Sequence, residues 1–372
     1  NFGTINWTGT GNINVGGAVL VLDNKAGALF NIQNDQAIAG DGGGAEQFTN
    51  AGTVRKTVAT GVTTVASTVT FDNTGGTLDI QAGSLTLGGA FNHSGASSIT
   101  AGAITASGGG SGSGTLALAS GATLSLTGGT YTLATGTAIT GAGLYQINGG
   151  TVSVNGAVSA GTVALDSGTV NGAGTLSFTG AMTWTGGSMS DASGTTSVLA
   201  GKTLTISGGT AKGLGRLLDN AGTVTWTGGA INTSGAGTVV TNQAGGQFNI
   251  QTDGTISGDG GGNEVITNAG TMTKSVATGT TTVASTVTFN NTGTVDLQTG
   301  TVNFAGSYTQ TGGTLNFGIN SLTNFGRINI SGNAPLTGAL RAALLQGFLP
   351  QTNDAFQVMT FGSKTGGFTD LN

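Results

Sequence analysis

The chain has no cysteine. This absence excludes disulfide bonds, thiolate metal sites and cysteine nucleophiles, and it gives no information on the redox compartment. His93 is the only histidine. One imidazole is too little for a site built on several histidines, and it limits any histidine-based triad to this position. We expect His93 to be a surface residue.

Charge is also scarce. Charged residues make up 7% of the chain, against about a quarter in an ordinary soluble domain. The ten Lys and Arg residues are spread along the sequence, and the net charge is -5. Nucleic acids and anionic membranes both favour clustered positive charge. The composition therefore predicts neither partner.

Proline occurs only twice, at Pro335 and Pro350, and glycine is not found at every third position, which excludes a collagen-like helix. Hydrophobic residues reach 37% and the mean hydropathy is +0.16. Disordered chains combine low hydrophobicity with high net charge, so disorder is also disfavoured. No apolar run approaches the roughly 20 residues that span a bilayer, so we expect no membrane insertion.

Glycine is abundant, with 73 residues, and Gly-Gly or a near equivalent separates short segments. From Gly88 to Gly228 these pairs recur at intervals of about 20 residues, which is the length of a short solenoid repeat. Between them lie runs in which small polar and apolar residues alternate, such as 123–127, 151–154, 203–206 and 301–304. Alternation with enrichment in β-branched residues predicts strands with one buried face.

These features predict an all-β protein, a right-handed parallel β-helix (β-solenoid) of about 18 coils. The segments are too short for crossover helices, and the hexapeptide spacing of left-handed forms is absent. A β-sandwich or barrel array is the alternative architecture, and it would need antiparallel hairpins. Stacked coils also explain the missing charge, because equivalent residues about 4.8 Å apart would repel one another if equally charged.

An internal duplication supports this prediction. Residues 30–71 match residues 248–289 at a constant offset of 218, with 31 identities in 42 positions. Copying of blocks is typical of stacked structural units. We expect a continuous solenoid over residues 1–318 and an irregular closing segment over 319–372, mostly strand, with a helix at 338–346 as the less favoured alternative. The first residue, Asn1, and the absence of a signal peptide suggest a piece of a longer polypeptide.

Three acidic residues of the first copy recur in the second, which gives six in all. Carboxylates around a flexible Gly-Asp-Gly-Gly-Gly segment could supply oxygen ligands to Ca²⁺, although the spacing matches no known calcium motif. The alternative is a solvated loop in a recently copied block. We expect two protruding loops, at 34–47 and 252–265. The possible calcium ligands are Asp35, Asp41, Glu46, Asp253, Asp259 and Glu264.

An enzyme is a further hypothesis, because β-helices include polysaccharide lyases and hydrolases. Lys56 and Lys274, which correspond across the copies, could act as bases beside Asp41 or Asp259. Two equivalent sites far apart would be unusual for a lyase, and no catalytic set is assigned. The Thr-rich runs do not recur at one coil position, which disfavours an ice-binding face. The sequence therefore favours a non-enzymatic protein that requires no cofactor.

All three tryptophans lie in Trp-Thr-Gly, at Trp7, Trp184 and Trp226. An exposed indole ring could act as a stacking platform for a glycan. The favoured alternative is that each large side chain fills a corner of a coil in the protein interior. Carbohydrate binding by an adhesin that uses these rings and Asn-rich faces is the second functional hypothesis.

Several motifs resemble those of very large bacterial surface proteins, the β-strand-repeat, autotransporter-like or adhesin-like polypeptides. The motifs are TWTGG (183–187 and 225–229), GKTLTISGG (201–209), LLDNAGTVTWTGG (217–229), NQAGGQFNIQ (242–251), TNAGT (267–271) and FNNTGTVDLQTGTVNFAG (289–306). The tail from Tyr308 to Ser363 is similar to the segment that closes such repeat tracts. The resemblance implies an exported β-solenoid with a structural or adhesive role, and it supplies no catalytic residues.

The leading hypothesis is therefore an extracellular or cell-surface protein whose function is structural: a stalk, a matrix component or a filament subunit. Unpaired strand edges at the end of any solenoid must be capped or paired. We expect self-association end to end or attachment within a longer polypeptide. Glycans are possible partners, and a polysaccharide lyase or hydrolase is the third functional hypothesis.

Overall fold

The computed structural model describes residues 1–17, 20–43, 46–235, 237–261 and 264–371. Its regular secondary structure is β throughout, and no helix occurs among the described residues. In particular, the described chain has no helix long and apolar enough to cross a membrane. The chain divides into two compact units, Asn1–Met182 and Thr183–Asn372.

The first unit is a series of short strands that end at Gly, Asn and Ser turns. Two of them, β17 and β18, continue through coil corners and are correspondingly long. The strands are β1 Thr4–Trp7, β2 Ile13–Val15, β3 Val21–Asn24, β4 Leu29–Ile32, β5 Ala37–Gly40, β6 Glu46–Asn50, β7 Thr53–Lys56, β8 Val62–Val65, β9 Val69–Thr74, β10 Thr77–Leu87, β11 Phe91–Ser94, β12 Ala96–Ala106, β13 Gly110–Gly112, β14 Thr115–Leu118, β15 Thr123–Leu126, β16 Thr130–Leu133, β17 Ala138–Val154, β18 Ala157–Asn171 and β19 Thr175–Phe178.

The second unit repeats this pattern, and the strand that includes the division point is given with it. The strands are β20 Met182–Trp184, β21 Ser188–Met189, β22 Thr195–Val198, β23 Thr203–Ile206, β24 Lys212–Leu214, β25 Leu217–Asn220, β26 Thr223–Trp226, β27 Ile231–Thr233, β28 Gly237–Asn242, β29 Gln247–Ile250, β30 Thr255–Gly258, β31 Glu264–Asn268, β32 Thr271–Lys274, β33 Thr280–Val283, β34 Val287–Asn291, β35 Thr294–Leu297, β36 Thr301–Phe304, β37 Tyr308–Gln310, β38 Thr314–Ile319, β39 Arg327–Leu336, β40 Ala339–Leu344, β41 Met359–Gly366 and β42 Asp370–Leu371.

The strands pair in parallel with their equivalents in the next coil, so the predicted β-solenoid is confirmed. Residues alternate between buried and partly exposed along most strands, as one-sided burial requires. There are about 15 turns, so the predicted 18 is wrong. The reason is coil length. Ala157 lies beside Thr175, but Leu29 lies beside Thr53, because the turns of the copied block are longer than those of the central segment.

Aromatic side chains form a column inside the first unit. Phe48, Phe71 and Phe91 are register partners in successive coils, with ring centroids 4.9 and 6.1 Å apart. The next position is Gly110, where a Cβ atom would lie 2.0 Å from the carbonyl oxygen of Phe91. The missing side chain at this position leaves room for Tyr131, in the following coil, to stack on Phe91 at 6.0 Å.

A buried asparagine ladder runs beside this core. The Nδ2 of Asn24 donates to the Oδ1 of Asn50 at 2.7 Å, and the Nδ2 of Asn50 donates to the Oδ1 of Asn73 at 2.8 Å. Asn73 donates in turn to the carbonyl oxygen of Gly76. All three amides are fully buried. Each link stabilises the fold by about 1 kcal/mol, and an unsatisfied buried amide would cost about 1–3 kcal/mol.

The second unit has its own ladder, in which Asn242, Asn268 and Asn291 lie 218 residues after Asn24, Asn50 and Asn73. Asn220, Asn242, Asn268 and Asn291 form a chain of Nδ2-to-Oδ1 hydrogen bonds of 2.7, 2.7 and 2.8 Å. Gln310 is the register partner of Asn291 in the next coil and donates to the carbonyl oxygen of Thr337. The ladders therefore fix the register of successive coils by side-chain hydrogen bonds as well as by backbone pairing.

The closing segment continues the parallel pairing beyond residue 318. Strand β38 pairs with β40, β39 with β41, and β40 with β42. Residues 339–344 form strand β40, so the helical alternative at 338–346 does not occur. Arg341 and Asp370 form an ion pair at 2.6 Å across β40 and β42. Only the isolated bridge between Ile319 and Phe325 is antiparallel among the described strand contacts.

Candidate functional site

The duplicated block builds the same corner twice, once in each unit. Strands β4 to β9 of the first copy match β29 to β34 of the second, and the bounds of matching strands differ by a few positions at most, because the spacing of the turns is the same in both copies. The acidic residues predicted as ligands lie around strands β5 and β6 and around β30 and β31. Both copies can therefore be compared atom by atom.

A buried lysine is the centre of the first cluster. Strand β7 alternates so that Lys56 points inward, and its side chain is fully buried. Its Nζ donates to the carbonyl oxygen of Asn34 at 2.8 Å, to Asp35 Oδ1 at 2.5 Å and to Thr63 Oγ1 at 3.0 Å. Three acceptors match the three donors of an ammonium group, which compensates its burial.

The second copy repeats this arrangement. Lys274 is fully buried, and its Nζ donates to the Thr252 carbonyl oxygen at 3.3 Å, to Asp253 Oδ1 at 2.7 Å and to Thr281 Oγ1 at 2.9 Å. The other oxygen of Asp253 accepts from the backbone N–H of Gly279 at 3.1 Å. Both copies therefore hold their lysine and aspartate in the same arrangement.

This geometry corrects the proposed role of the lysines. Lys56 pairs with Asp35 and not with Asp41, the residue beside which a base was expected. The hydrogen bond from Lys56, followed by one from the Gly61 backbone N–H, lowers the pKa of Asp35. An ammonium whose three protons are all donated within the protein is not positioned to act as a base on a substrate. The same holds for Lys274 with respect to Asp259.

A second cluster joins Asp41 with Glu46. Asp41 Oδ1 accepts from the backbone N–H of Gly43 at 3.0 Å, and Oδ2 accepts from Gly17 N–H at 2.9 Å. Glu46 Oε1 accepts from the N–H of Gly42 at 3.1 Å. The hydrogen bond from Gly43, with a side-chain hydrogen bond to Glu46 next in size, lowers the pKa of Asp41.

The second copy holds an equivalent pair. Asp259 Oδ1 accepts from the N–H of Gly261 at 2.9 Å, and Glu264 Oε1 accepts from the Asp259 N–H at 3.1 Å. The pKa of Asp259 is lowered for the same reasons as in the first copy, with Gly261 first. A longer contact of 3.4 Å joins Asp259 Oδ2 to the N–H of Gly235.

One atom in each pair stands out. The Oε2 atoms of Glu46 and Glu264 are buried and have no hydrogen-bond partner within the described chain. A buried carboxylate oxygen without a partner is energetically costly, and a hard cation bound by this oxygen would offset the cost.

The structure leaves fewer candidate calcium ligands, and calcium binding stays a prediction. Asp35 belongs to the lysine cluster, so the structure does not bring it together with Asp41 and Glu46. Among the described residues no group of three or more His, Asp or Glu side chains is placed to hold one metal ion. The remaining carboxylate ligands would be Asp41 with Glu46, and Asp259 with Glu264.

The predicted protruding loops also need correction. The segments 34–47 and 252–265 contain strands β5 and β30, which pair within the solenoid, so neither protrudes along its whole length. The turns that remain begin at Asp41 and Asp259. Positions 44–45 and 262–263 of these predicted loops lie outside the described residues.

The tryptophans pack inside the protein. Trp184 and Trp226 are 0% exposed and Trp7 is 7% exposed. The Nε1 atoms of Trp226 and Trp7 donate to the carbonyl oxygens of Gly229 at 2.8 Å and Gly11 at 3.2 Å. Buried rings have no face on which a sugar can stack. Interior packing, the alternative considered for these residues, is what the structure shows.

His93 is buried, so the prediction of a surface position is wrong. It is the register partner of Asn73 on one side and of Gly112 on the other, which places it where the asparagine ladder ends. Its ring stacks on Tyr131 at 6.1 Å. The repeated pattern Phe71-Asp-Asn73 and Phe91-Asn-His93 is the sequence signal that would have indicated this inward position.

Burial dominates the chemistry of His93. Desolvation lowers its pKa to about 4, and the backbone near Ser113 opposes the shift only in part. Neither ring nitrogen has a well-aligned hydrogen-bond partner within the described residues. Burial also raises the pKa of Tyr131 well above its ordinary value. The cluster is therefore neutral at physiological pH, and it is closed to solvent.

Comparisons with known proteins give no family. A scan against protein-family models finds no match, and a search of curated proteins finds no significant match. The motif resemblance to bacterial β-strand-repeat surface proteins accordingly stays a resemblance. The fold and the contacts within each copy are the basis of the function proposed below.

Proposed function

We propose that this chain is a structural module of an extracellular bacterial surface protein, and that it serves as a stalk, a matrix component or a filament subunit. Three features support the proposal: the solenoid fold, the duplicated block of coils and the motif resemblance. The low charge fits the same role, because uncharged residues can stack from coil to coil without repulsion.

The observation that carries the proposal is the pair of buried asparagine ladders. Each runs through several successive coils, and its amide links of 2.7–2.8 Å join side chains that lie 22 to 26 residues apart. Such links resist both shear between coils and slippage of register, since any shift would leave several buried amides unsatisfied at once. A spacer under load needs this resistance.

The proposed role is non-enzymatic and requires no cofactor. The lysines that were candidates for a catalytic base are committed to Asp35 and Asp253. The carboxylate pairs at Asp41 and Asp259 accept backbone N–H groups from their own turns. These contacts hold the corners of the coils together, which is a structural use of the same residues.

The proposed partners are further coils of the same kind. The strands of the first and last coils of any parallel solenoid have unpaired backbone N–H and C=O groups. These groups can pair with another strand, either of a longer polypeptide or of a second copy of the chain. End-to-end association would give filaments, and a longer polypeptide would give a stalk. The proposed location, outside the cell or at its surface, is supported by the motif resemblance.

Electron microscopy of the purified chain tests the proposal. We expect elongated particles, and filaments at high concentration if copies associate end to end. Compact particles at every concentration would contradict a stalk or filament. A panel of acidic and neutral polysaccharides should be assayed in parallel, because specific turnover of any of them would overturn the non-enzymatic role.

A mechanical measurement distinguishes the ladder from general packing. In single-molecule pulling, Asn50→Leu should lower the unfolding force of the first unit because it interrupts the ladder. Asn31→Ala is the matched control, since Asn31 donates to Asn6 on the exposed face at 2.9 Å. Equal unfolding forces for wild type and Asn50→Leu would show that the ladder does not bear load.

A further inference from the structure

A polar pocket lies on the second unit where the closing segment folds over a coil corner. Its volume is about 410 Å³, within the range of small-molecule sites. The floor comes from the turns after β32 and β35, at 275–278 and 298–299. The wall comes from the turn between β38 and β39 and from the turn after β40, through Asn320, Asn324, Leu345 and Gln346.

The wall is fixed to the floor by specific contacts. Asn320 Nδ2 donates to the carbonyl oxygen of Gln298 at 2.6 Å, and Thr299 Oγ1 donates to Asn324 Oδ1 at 2.6 Å. The backbone N–H of Leu345 donates to the Ile319 carbonyl oxygen at 2.9 Å. These hydrogen bonds preorganise the pocket, which reduces the entropic cost of binding a ligand.

Several polar groups in the pocket are left unused by the protein. Ser275, Thr278 and Gln346 make no side-chain hydrogen bond within the described chain. Asn324 uses its Oδ1 for Thr299, so its Nδ2 remains available as a donor. The pocket thus presents hydroxyl and amide groups, which act together as donors and acceptors.

The pocket carries no free charge among its described lining residues. Lys274, which directly precedes the floor in sequence, is fully buried and bonded to Asp253. Asp296, the carboxylate next to the floor, accepts from Gln298 at 2.8 Å and from Asn316 at 2.7 Å. An ionic ligand would find no complementary partner here, and this favours a neutral one.

Two apolar side chains complete the lining. Val276, in the floor, is 61% exposed, and Leu345 lies in the wall. A hexopyranose ring has hydroxyl groups around its edge and apolar C–H groups on its faces, which suits a pocket that combines amide and hydroxyl groups with aliphatic side chains. We propose that this pocket binds a neutral saccharide, a site separate from the structural role of the solenoid.

The duplication supplies an internal control. Val58 corresponds to Val276 in the two copies and is similarly exposed, at 65%. Only the floor segment 275–278 lies within the copied block of residues 248–289, whereas the floor residues 298–299 and the wall residues 320–346 lie outside it. The first copy therefore has that part of the floor sequence without this wall. A substitution at Val276 can therefore be compared with the same change at Val58.

Saturation-transfer NMR on the full chain tests the proposal. The probes are glucose, galactose, mannose, N-acetylglucosamine and N-acetylgalactosamine, with glucuronic acid as the charged comparison. We expect signal from at least one neutral sugar. Val276→Arg should weaken its binding at least tenfold by filling the pocket, whereas Val58→Arg should leave it unchanged. Gln346→Ala should weaken it roughly fivefold, the effect of one hydrogen bond.

The contrary results are equally defined. No signal from any neutral sugar would overturn the proposal, as would stronger binding of glucuronic acid. Equal loss of binding in Val276→Arg and Val58→Arg would place the sugar elsewhere. None of these outcomes bears on particle shape in the microscope, so failure of this pocket and failure of the proposed structural role can be told apart.

Discussion

His93→Gln tests whether a buried, neutral histidine makes the first unit sensitive to acid. The replacement is suggested by the protein itself, because the ladder of the second unit continues through Gln310, whereas that of the first unit meets His93 at the equivalent step. Glutamine fills the position with a neutral amide. It removes the titration while it keeps a polar side chain in the column.

The magnitude follows from the pKa of His93. Burial lowers this pKa from 6.5 to about 4, so the unfolded chain binds a proton between those pH values and the folded chain does not. The full unfolding free energy is therefore present above pH 6.5, and the part that depends on His93 is lost as the pH decreases to 4. At about 1.4 kcal/mol per pKa unit, the loss is about 3 kcal/mol. Tyr131 stacks on His93 and stays neutral, so it does not alter the sign.

Two assays check this prediction. Since His93 is the only histidine, NMR titration of its ring carbon resonances gives its pKa without ambiguity. Urea unfolding at pH 7 and pH 4 should then show a decrease in stability that is about 3 kcal/mol larger in wild type than in His93→Gln, with the carboxylates common to both cancelling. A titration midpoint near 6.5, or an equal pH effect in both proteins, would refute the reasoning.

Three further outcomes are expected. Asn50→Leu should cost about 1–3 kcal/mol of unfolding free energy, because it leaves buried amide partners unsatisfied. Asn31→Ala should cost less than about 0.5 kcal/mol. Similar losses for both variants in urea unfolding would contradict a stabilising role of the ladder. Lys56→Met should cost about 1–3 kcal/mol of unfolding free energy, because it removes all three hydrogen bonds of the buried ammonium and leaves their acceptors without this donor. A loss below about 0.5 kcal/mol would contradict this. The calcium hypothesis predicts a higher melting temperature in about 1 mM CaCl₂ that disappears in the double variant Asp41→Asn and Asp259→Asn; an unchanged melting temperature in wild type removes it.

The strand pattern could be predicted because it is local. Alternation in segments such as Thr203–Ile206 depends on the neighbouring residue, and the structure has a strand there with every second residue buried. Coil number could not be obtained in the same way. The step from Ala157 to its partner Thr175 is shorter than the step from Leu29 to Thr53, and the Gly-Gly spacing samples only the shorter coils.

The residues of the candidate site could be predicted from the sequence, but their partners could not. The duplication identified the acidic residues and both lysines, and every one of them lies in a matching corner. Which acid meets which lysine was not predictable from spacing alone, because Asp35 and Lys56 are 21 residues apart and become neighbours only through coil stacking. Glu46 and His93 were misjudged in a related way, since polar residues are ordinarily expected at the surface.

The sequence by itself determined the all-β class, the solenoid architecture and the presence of two equivalent corners, because glycine spacing, alternation and copied residues are properties of the chain order. Only the tertiary structure decided the partners across coils: the asparagine ladders, the Lys56–Asp35 pair, the buried His93 and the pocket beside Val276. The physical reason is that these contacts form between residues one coil apart, where the length of each turn sets the register and a change of one residue exchanges the inward and outward faces.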